Sequence, residues 1–208
     1  MQTKKIIGFL GGILIIQPYL LAESMHGTNE PQQQQTNVDE VLKMQKRLYK
    51  KGIFRSAIPA PPDDMLQRAI KGEMEGQYQL GGWFYEYIVY EEQCVQISES
   101  WLKMAALQGL AEAQWQLGHL YRNYRNNEQL AKSWFKKSIT SFEKRTDSTA
   151  YKFLYAIYYD GTGTEVNIEK AKEYALKYVT RCQQEKTQPR WIDLEPEIRE
   201  YVLEQTKK

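Results

Sequence analysis

Gly76-Gln77-Tyr78-Gln79-Leu80-Gly81 and Ala113-Gln114-Trp115-Gln116-Leu117-Gly118 are one motif written twice, 37 residues apart. A further step of 37 lands on Ala150-Tyr151-Lys152-Phe153-Leu154-Tyr155. Each row holds a small residue, a leucine four positions later, and an aromatic four beyond that, at Phe84, Tyr121 and Tyr158. Spacing of this kind draws one apolar stripe along a helix. A fixed period of this length marks an array of stacked units. Gly72 and Gly109 keep the same interval, each just after a helix ending in Ala69-Ile70 or Ala105-Ala106, so the register extends across both helices of a unit.

The second helix of each unit follows the same logic. Ser98, Trp101, Leu102 and Ala105 serve the first unit, Ala131, Trp134, Phe135 and Ser138 the second, and Ala171, Tyr174, Ala175 and Tyr178 the third. Small and large side chains at spacings of three and four predict close packing with an aromatic wedge. The connection within the first unit, residues 86–97 with Cys94, reads as the longest insertion. Ahead of the array, Val38, Val41, Leu42, Gln45, Leu48 and Tyr49 share a helical face that Gly52 should end. Pro59, Pro61 and Pro62 form a stiff connection within residues 38–62, and Asp63 or Asp64 should cap a short helix to Ile70. The solenoid spans 63–182. In the final segment, 183–208, Trp191, Leu194, Ile198, Tyr201, Val202 and Leu203 predict an amphipathic capping helix.

Leu117-Gly118-x-x-Tyr121, Ala131-x-x-Trp134-Phe135, and Tyr158-x-x-Gly161-x-Gly163 followed by Lys170-Ala171 resemble the Sel-one-like repeat family, a branch of the tetratricopeptide-like solenoids. The likeness covers about residues 63–180. It implies an all-α fold, a short right-handed solenoid of about three helix–turn–helix repeats with a flanking half repeat and a C-terminal cap. Two departures stand out. The first unit has an insertion where the Gly-x-Gly turn belongs. The third has Tyr155 in place of the glycine, which predicts helices set further apart.

Of the 208 residues, 42% are apolar, with 15 Tyr and 5 Trp, and the formal charge is +2. A mean hydropathy of −0.65 calls for amphipathic faces pressed together rather than long buried runs. Near-neutral charge with acids and bases interleaved excludes a field for steering to nucleic acid. Lys4 and Lys5, the apolar run Ile6 to Ile16, and Tyr19-Leu20-Leu21-Ala22 have the order of a secretory signal, residues 1–22. The run is short of the roughly 20 residues that a bilayer span needs. The expectation is therefore a periplasmic or secreted chain without a membrane anchor, beginning at Glu23. Residues 23–37, polar and Gln-rich, read as a flexible tether.

No His, Cys and carboxylate grouping has metal-ligand spacing, and His26 and His119 lack a neighbouring nucleophile, so no metal, cofactor or catalytic residue is expected. Asp160-Gly161-Thr162-Gly163-Thr164 lacks the Gly-Lys-Thr ending of a phosphate loop and reads as a turn between repeat helices. Cys94 and Cys182 belong to units two layers apart. At about 8–10 Å per layer that exceeds the roughly 7 Å reach of a disulfide, which argues against pairing.

With Leu117 taken as the core direction, Trp115, His119 and Arg122 fall on the opposite side of their helix. The matching positions are Tyr78, Gly82 and Tyr85 in the first unit and Lys152, Ala156 and Tyr159 in the third. Aromatic and Arg side chains are enriched at binding hot spots. Tyr78, Tyr85, Trp115, His119, Arg122, Lys152 and Tyr159 are therefore candidate partner-binding residues; the alternative is that neighbouring units cover them. The resemblance implies a non-catalytic adaptor holding a partner protein or peptide in the solenoid groove. Two alternatives remain: an immunity protein against a secreted toxin such as a phospholipase effector, as some exported relatives are, and an enzyme acting on cell-wall material.

Overall fold

The computed structural model describes residues 30–50 and 58–207. Among them every regular element is helical: α1 (Glu30–Lys50), α2 (Asp63–Ile70), α3 (Met74–Glu86), α4 (Gln93–Leu107), α5 (Ala111–Tyr124), α6 (Glu128–Glu143), α7 (Ser148–Asp160), α8 (Ile168–Gln184) and α9 (Pro196–Thr206), with a 3₁₀ turn at Trp191–Asp193. The helices pair as hairpins α3/α4, α5/α6 and α7/α8, stacked in chain order. α2 packs on α3 as a half unit, and α9 packs on α8. This is the all-α solenoid that the 37-residue register predicts. The leader and its cleavage point lie outside the described residues, as does Gly52.

Each hairpin closes on the stripe read from the sequence. Leu80, Leu117 and Leu154 are fully buried, and so are Phe84, Trp101, Leu102 and Phe135. The approach is tight because the motif's last position is glycine. A β-carbon on Gly81 would stand 2.8 Å from Leu102, and one on Gly118 2.5 Å from the Phe135 ring. In the third unit the sizes are reversed: Tyr155 takes the glycine position, while Ala175 takes that of Leu102 and Phe135, and both are buried. Small therefore still faces large, and α7 and α8 pack as closely as the other pairs, against the expectation that Tyr155 would spread them.

The units are joined by a repeated device. Gly72 and Gly109 take left-handed backbone, at φ 85° and 98°, and let the chain reverse. The amide of Gln77 donates back to the carbonyl of Ala69 at 3.4 Å, and Gln114 does the same to Ala106 at 3.0 Å. The third joint lacks both features, having Thr146 and Tyr151 at these positions. Arg145 takes over. Its guanidinium binds Glu112 at 2.7 Å and both carboxylate oxygens of Asp147 at 2.8 and 2.9 Å, while Asp147 caps α7 through the Ala150 amide.

Several expectations are corrected. α1 begins at Glu30, so residues 30–37 are helical rather than a tether; Gln is a good helix former, and Pro31 sits in the first turn, where its missing N–H costs nothing. Val38, Val41, Gln45 and Leu48 of α1 are buried, and this helix lies on α4, which is consequently enclosed on both sides. Neither Asp63 nor Asp64 caps α2: Pro62 holds the cap position without a side-chain bond. The first-unit connection is confined to residues 87–92, so Cys94 lies inside α4, and the turn at 161–167 is longer. Cys94 and Cys182 are buried free thiols in separate core clusters.

Two tests follow from these contacts. Gly118→Ala should cost about 1–3 kcal/mol through overpacking against Phe135. Gly82→Ala, whose new methyl would meet only Gln116 at 3.7 Å, should be neutral or better, because Ala favours a helix by up to about 1 kcal/mol. Equal thermal midpoints for the two variants would contradict the glycine seam. The second test concerns the third joint. The Arg145 guanidinium holds the Asp147 carboxyl below its ordinary 3.8. A depressed pKa supplies stability above the ordinary value, and that stability drains away as pH falls from 3.8 through the lowered value. Asp147→Asn, which keeps a capping oxygen, should therefore lower stability at neutral pH and flatten the acid limb of a melting-temperature profile.

Candidate functional site

A first helix in a stacked array has three neighbours: its own second helix, the unit before and the unit after. The side opposite Leu117 is consequently not an open face. Trp115, Tyr85 and Tyr78 instead turn toward the unit that follows, while His119 and Arg122 pack on Phe135 of their own hairpin. The Trp115 ring meets Phe153 of α7 edge-on at 6.1 Å. Tyr85 meets Tyr124 of α5 at 5.6 Å. Tyr78 is half-buried; burial first, and then Glu112 at the start of α5, raise its pKa.

At the C-terminal end the cap plays the part of the next unit. Lys152 pairs with Asp193 at 2.6 Å. The Tyr155 hydroxyl accepts the Glu195 amide at 2.9 Å. Burial, then the carboxylates of Glu197 and Glu195, raise the pKa of Tyr159. Much of the stripe read as a groove thus borders the inter-unit seam, and all seven candidate residues remain half-exposed.

Phe135 is the hub of this seam, and the sequence reading gave it only a packing role. Gly118 and Gly163 crowd it from two sides. Trp115 stands 5.1 Å from its ring, His119 5.0 Å, and the Arg122 guanidinium 4.6 Å above its face. Trp115 is also the aromatic that packs on both core clusters. His119, wedged between Trp115 and Phe135, has its pKa lowered by burial and then by the charge of Arg122. That suits packing. Among the described residues no group of three or more His, Cys, Asp or Glu could hold a metal ion.

What remains accessible lies elsewhere. Glu86, Asn123 and Asp160, spaced by the 37-residue period, are all exposed. The turns within the three hairpins gather along one edge of the array, and large exposed apolar side chains lie in or beside them. Val89 (74% exposed) and Tyr90 (65%) belong to the first and Val166 (59%) to the third. Tyr124 (38%), the last residue of α5, stands before the second with its ring edge-on to Tyr85. Arg122 reaches this edge, where it shares a cleft with Glu128, Lys132, Lys136 and the Gly161–Glu165 turn. Sequence could place the turns. It could not show that they line up, because that follows from the stacking.

No family model matches the chain, and no curated protein matches it. A solved Sel1 repeat protein from Oxalobacter formigenes is similar at 19% identity, over 61% of this chain and 95% of that one, with a TM-score of 0.39.

The seam reading makes a specific demand on Trp115. Trp115→Ala should destabilise by about 3–5 kcal/mol, as an emptied aromatic site does. A protein that melts like the wild type would return Trp115 to the list of free binding residues.

Proposed function

We propose that this chain is a non-catalytic helical-repeat scaffold that binds a partner protein along the edge formed by its hairpin turns, and that it works outside the cytoplasm. The observation that carries the reading is the exposure of Val89, Tyr90, Tyr124 and Val166 in or beside three successive turns of one edge. A single exposed apolar residue needs no explanation, but a row of them on neighbouring turns of a rigid array is a contact surface. Loops held by such a scaffold are where binding residues concentrate. The resemblance of the Leu117-Gly118 and Ala131-Trp134-Phe135 motifs to Sel-one-like repeats agrees with a binding role. The extracytoplasmic setting rests on Lys4, Lys5, the apolar run and Ala22.

The test uses the chain from Glu23 onward, immobilised and exposed to a periplasmic extract, beside a Val89→Ser/Tyr90→Ser variant and a Val166→Ser variant. All of these residues are on the surface, so thermal midpoints should not move. A partner retained by the wild type should be held about tenfold less by the first variant, equivalent to ~1.4 kcal/mol. Identical retention by wild type and both variants would remove the edge from consideration.

A further inference from the structure

The cleft joining the α5–α6 turn to the α7–α8 turn differs in chemistry from the apolar edge around it. Its volume is about 430 Å³, and Arg122, Glu128, Lys132, Lys136, Gly161, Gly163, Thr164 and Glu165 line it. Arg122 is pre-positioned: its guanidinium lies 4.6 Å from the Phe135 centroid, and its Nε approaches Glu128 at 3.3 Å. The ring beneath it and Glu128 beside it restrict the guanidinium, whose five N–H donors exceed what the bond to Glu128 uses. Lys132 and Lys136 are exposed, one turn apart on α6, and form no ion pair among the described residues. Glu128 answers Arg122, so Glu165 alone stands against the two lysines.

The backbone adds to this field. Gly161 and Gly163 both take positive φ, 70° and 75°, on either side of Thr162. The amides of Gly163 and Thr164 donate to no backbone acceptor. Curled turns with free N–H groups form concavities that hold anionic oxygens. Val166 stands exposed beside this turn, packed on Gly161.

We infer that this cleft is a subsite for the carboxylates of an acidic peptide segment, with an apolar side chain of the same segment resting on Val166. The inference deepens the protein-binding reading and rests on it. With Glu128 on Arg122, the two unpaired lysines and the remaining guanidinium N–H groups match one or two carboxylates. Glu128 and Glu165 on the rim, on a chain of formal charge +2, disfavour a long phosphodiester track.

The experiment follows backbone amide resonances of the chain from Glu23 onward while a blocked hexaglutamate peptide is added. Inorganic phosphate and hexathymidylate run in parallel. Hexaglutamate should shift Gly161, Gly163 and Thr164 at millimolar concentration. The effect should weaken roughly tenfold in a Lys132→Glu/Lys136→Glu variant, as close charge pairs do. It should vanish near 1 M salt, where charges are screened within ~3 Å. Silence at these amides, or equal affinity in the charge-reversed variant with its thermal midpoint unchanged, overturns the subsite. Phosphate or hexathymidylate binding as tightly as hexaglutamate overturns the acidic segment as its occupant. A partner that still depends on Val89 and Tyr90 while hexaglutamate is silent would remove this subsite and leave the scaffold reading standing.

Discussion

The array depends on a side chain meeting the absence of one. Gly118 presents bare backbone to Phe135, and the ring lies 2.5 Å from where a β-carbon would be. That closeness seats Phe135 deep enough for Trp115, His119 and Arg122 to pack around it, and for Gly163 of the next unit to pass beside it. One contact therefore sets both the hairpin closure and the distance to its neighbour. Interiors packed this tightly transmit any change in volume.

The seam between units also explains why the most conspicuous side chains are not the free ones. Tyr85 and Trp115 both meet the next unit, and Trp115 also packs on Phe135 of its own hairpin. Beyond the third unit, Asp193 and Glu195 provide the corresponding partners to Lys152 and Tyr155. The cap is a substitute unit reduced to a 3₁₀ turn and one helix.

The joints are not equivalent. Between the first and second units a glycine and a glutamine make the connection with neutral groups. Between the second and third, Arg145 does so with charge, binding Glu112 and Asp147 together. A hydrogen-bonded amide ignores pH in this range, whereas the Asp147 carboxylate does not. Acid is thus expected to loosen the third unit before the others. The second core cluster spans this joint, with Ala111 and Phe142 of the second unit beside Leu154 and Tyr158 of the third, and Trp115 packs on both clusters.

Sequence alone determined the units and their register. A 37-residue period with a glycine, a leucine and an aromatic at helical spacing is local information, and Leu117, Gly118 and Phe135 have the packing roles it assigned. It also placed the hairpin turns, including Gly161 and Gly163. What it could not decide is which faces remain open. Trp115, Lys152 and Tyr159 each look solvent-facing within their own helix, because the residue that covers each belongs to another unit or to the cap. The start of α1 was missed for a related reason: a Gln-rich run has no apolar stripe to signal a helix, although the adjoining turns pack on α4. The accessible edge was likewise invisible, since Tyr90, Tyr124 and Val166 are scattered along the chain. Only the stacking of one hairpin on the next brings their turns into a single row.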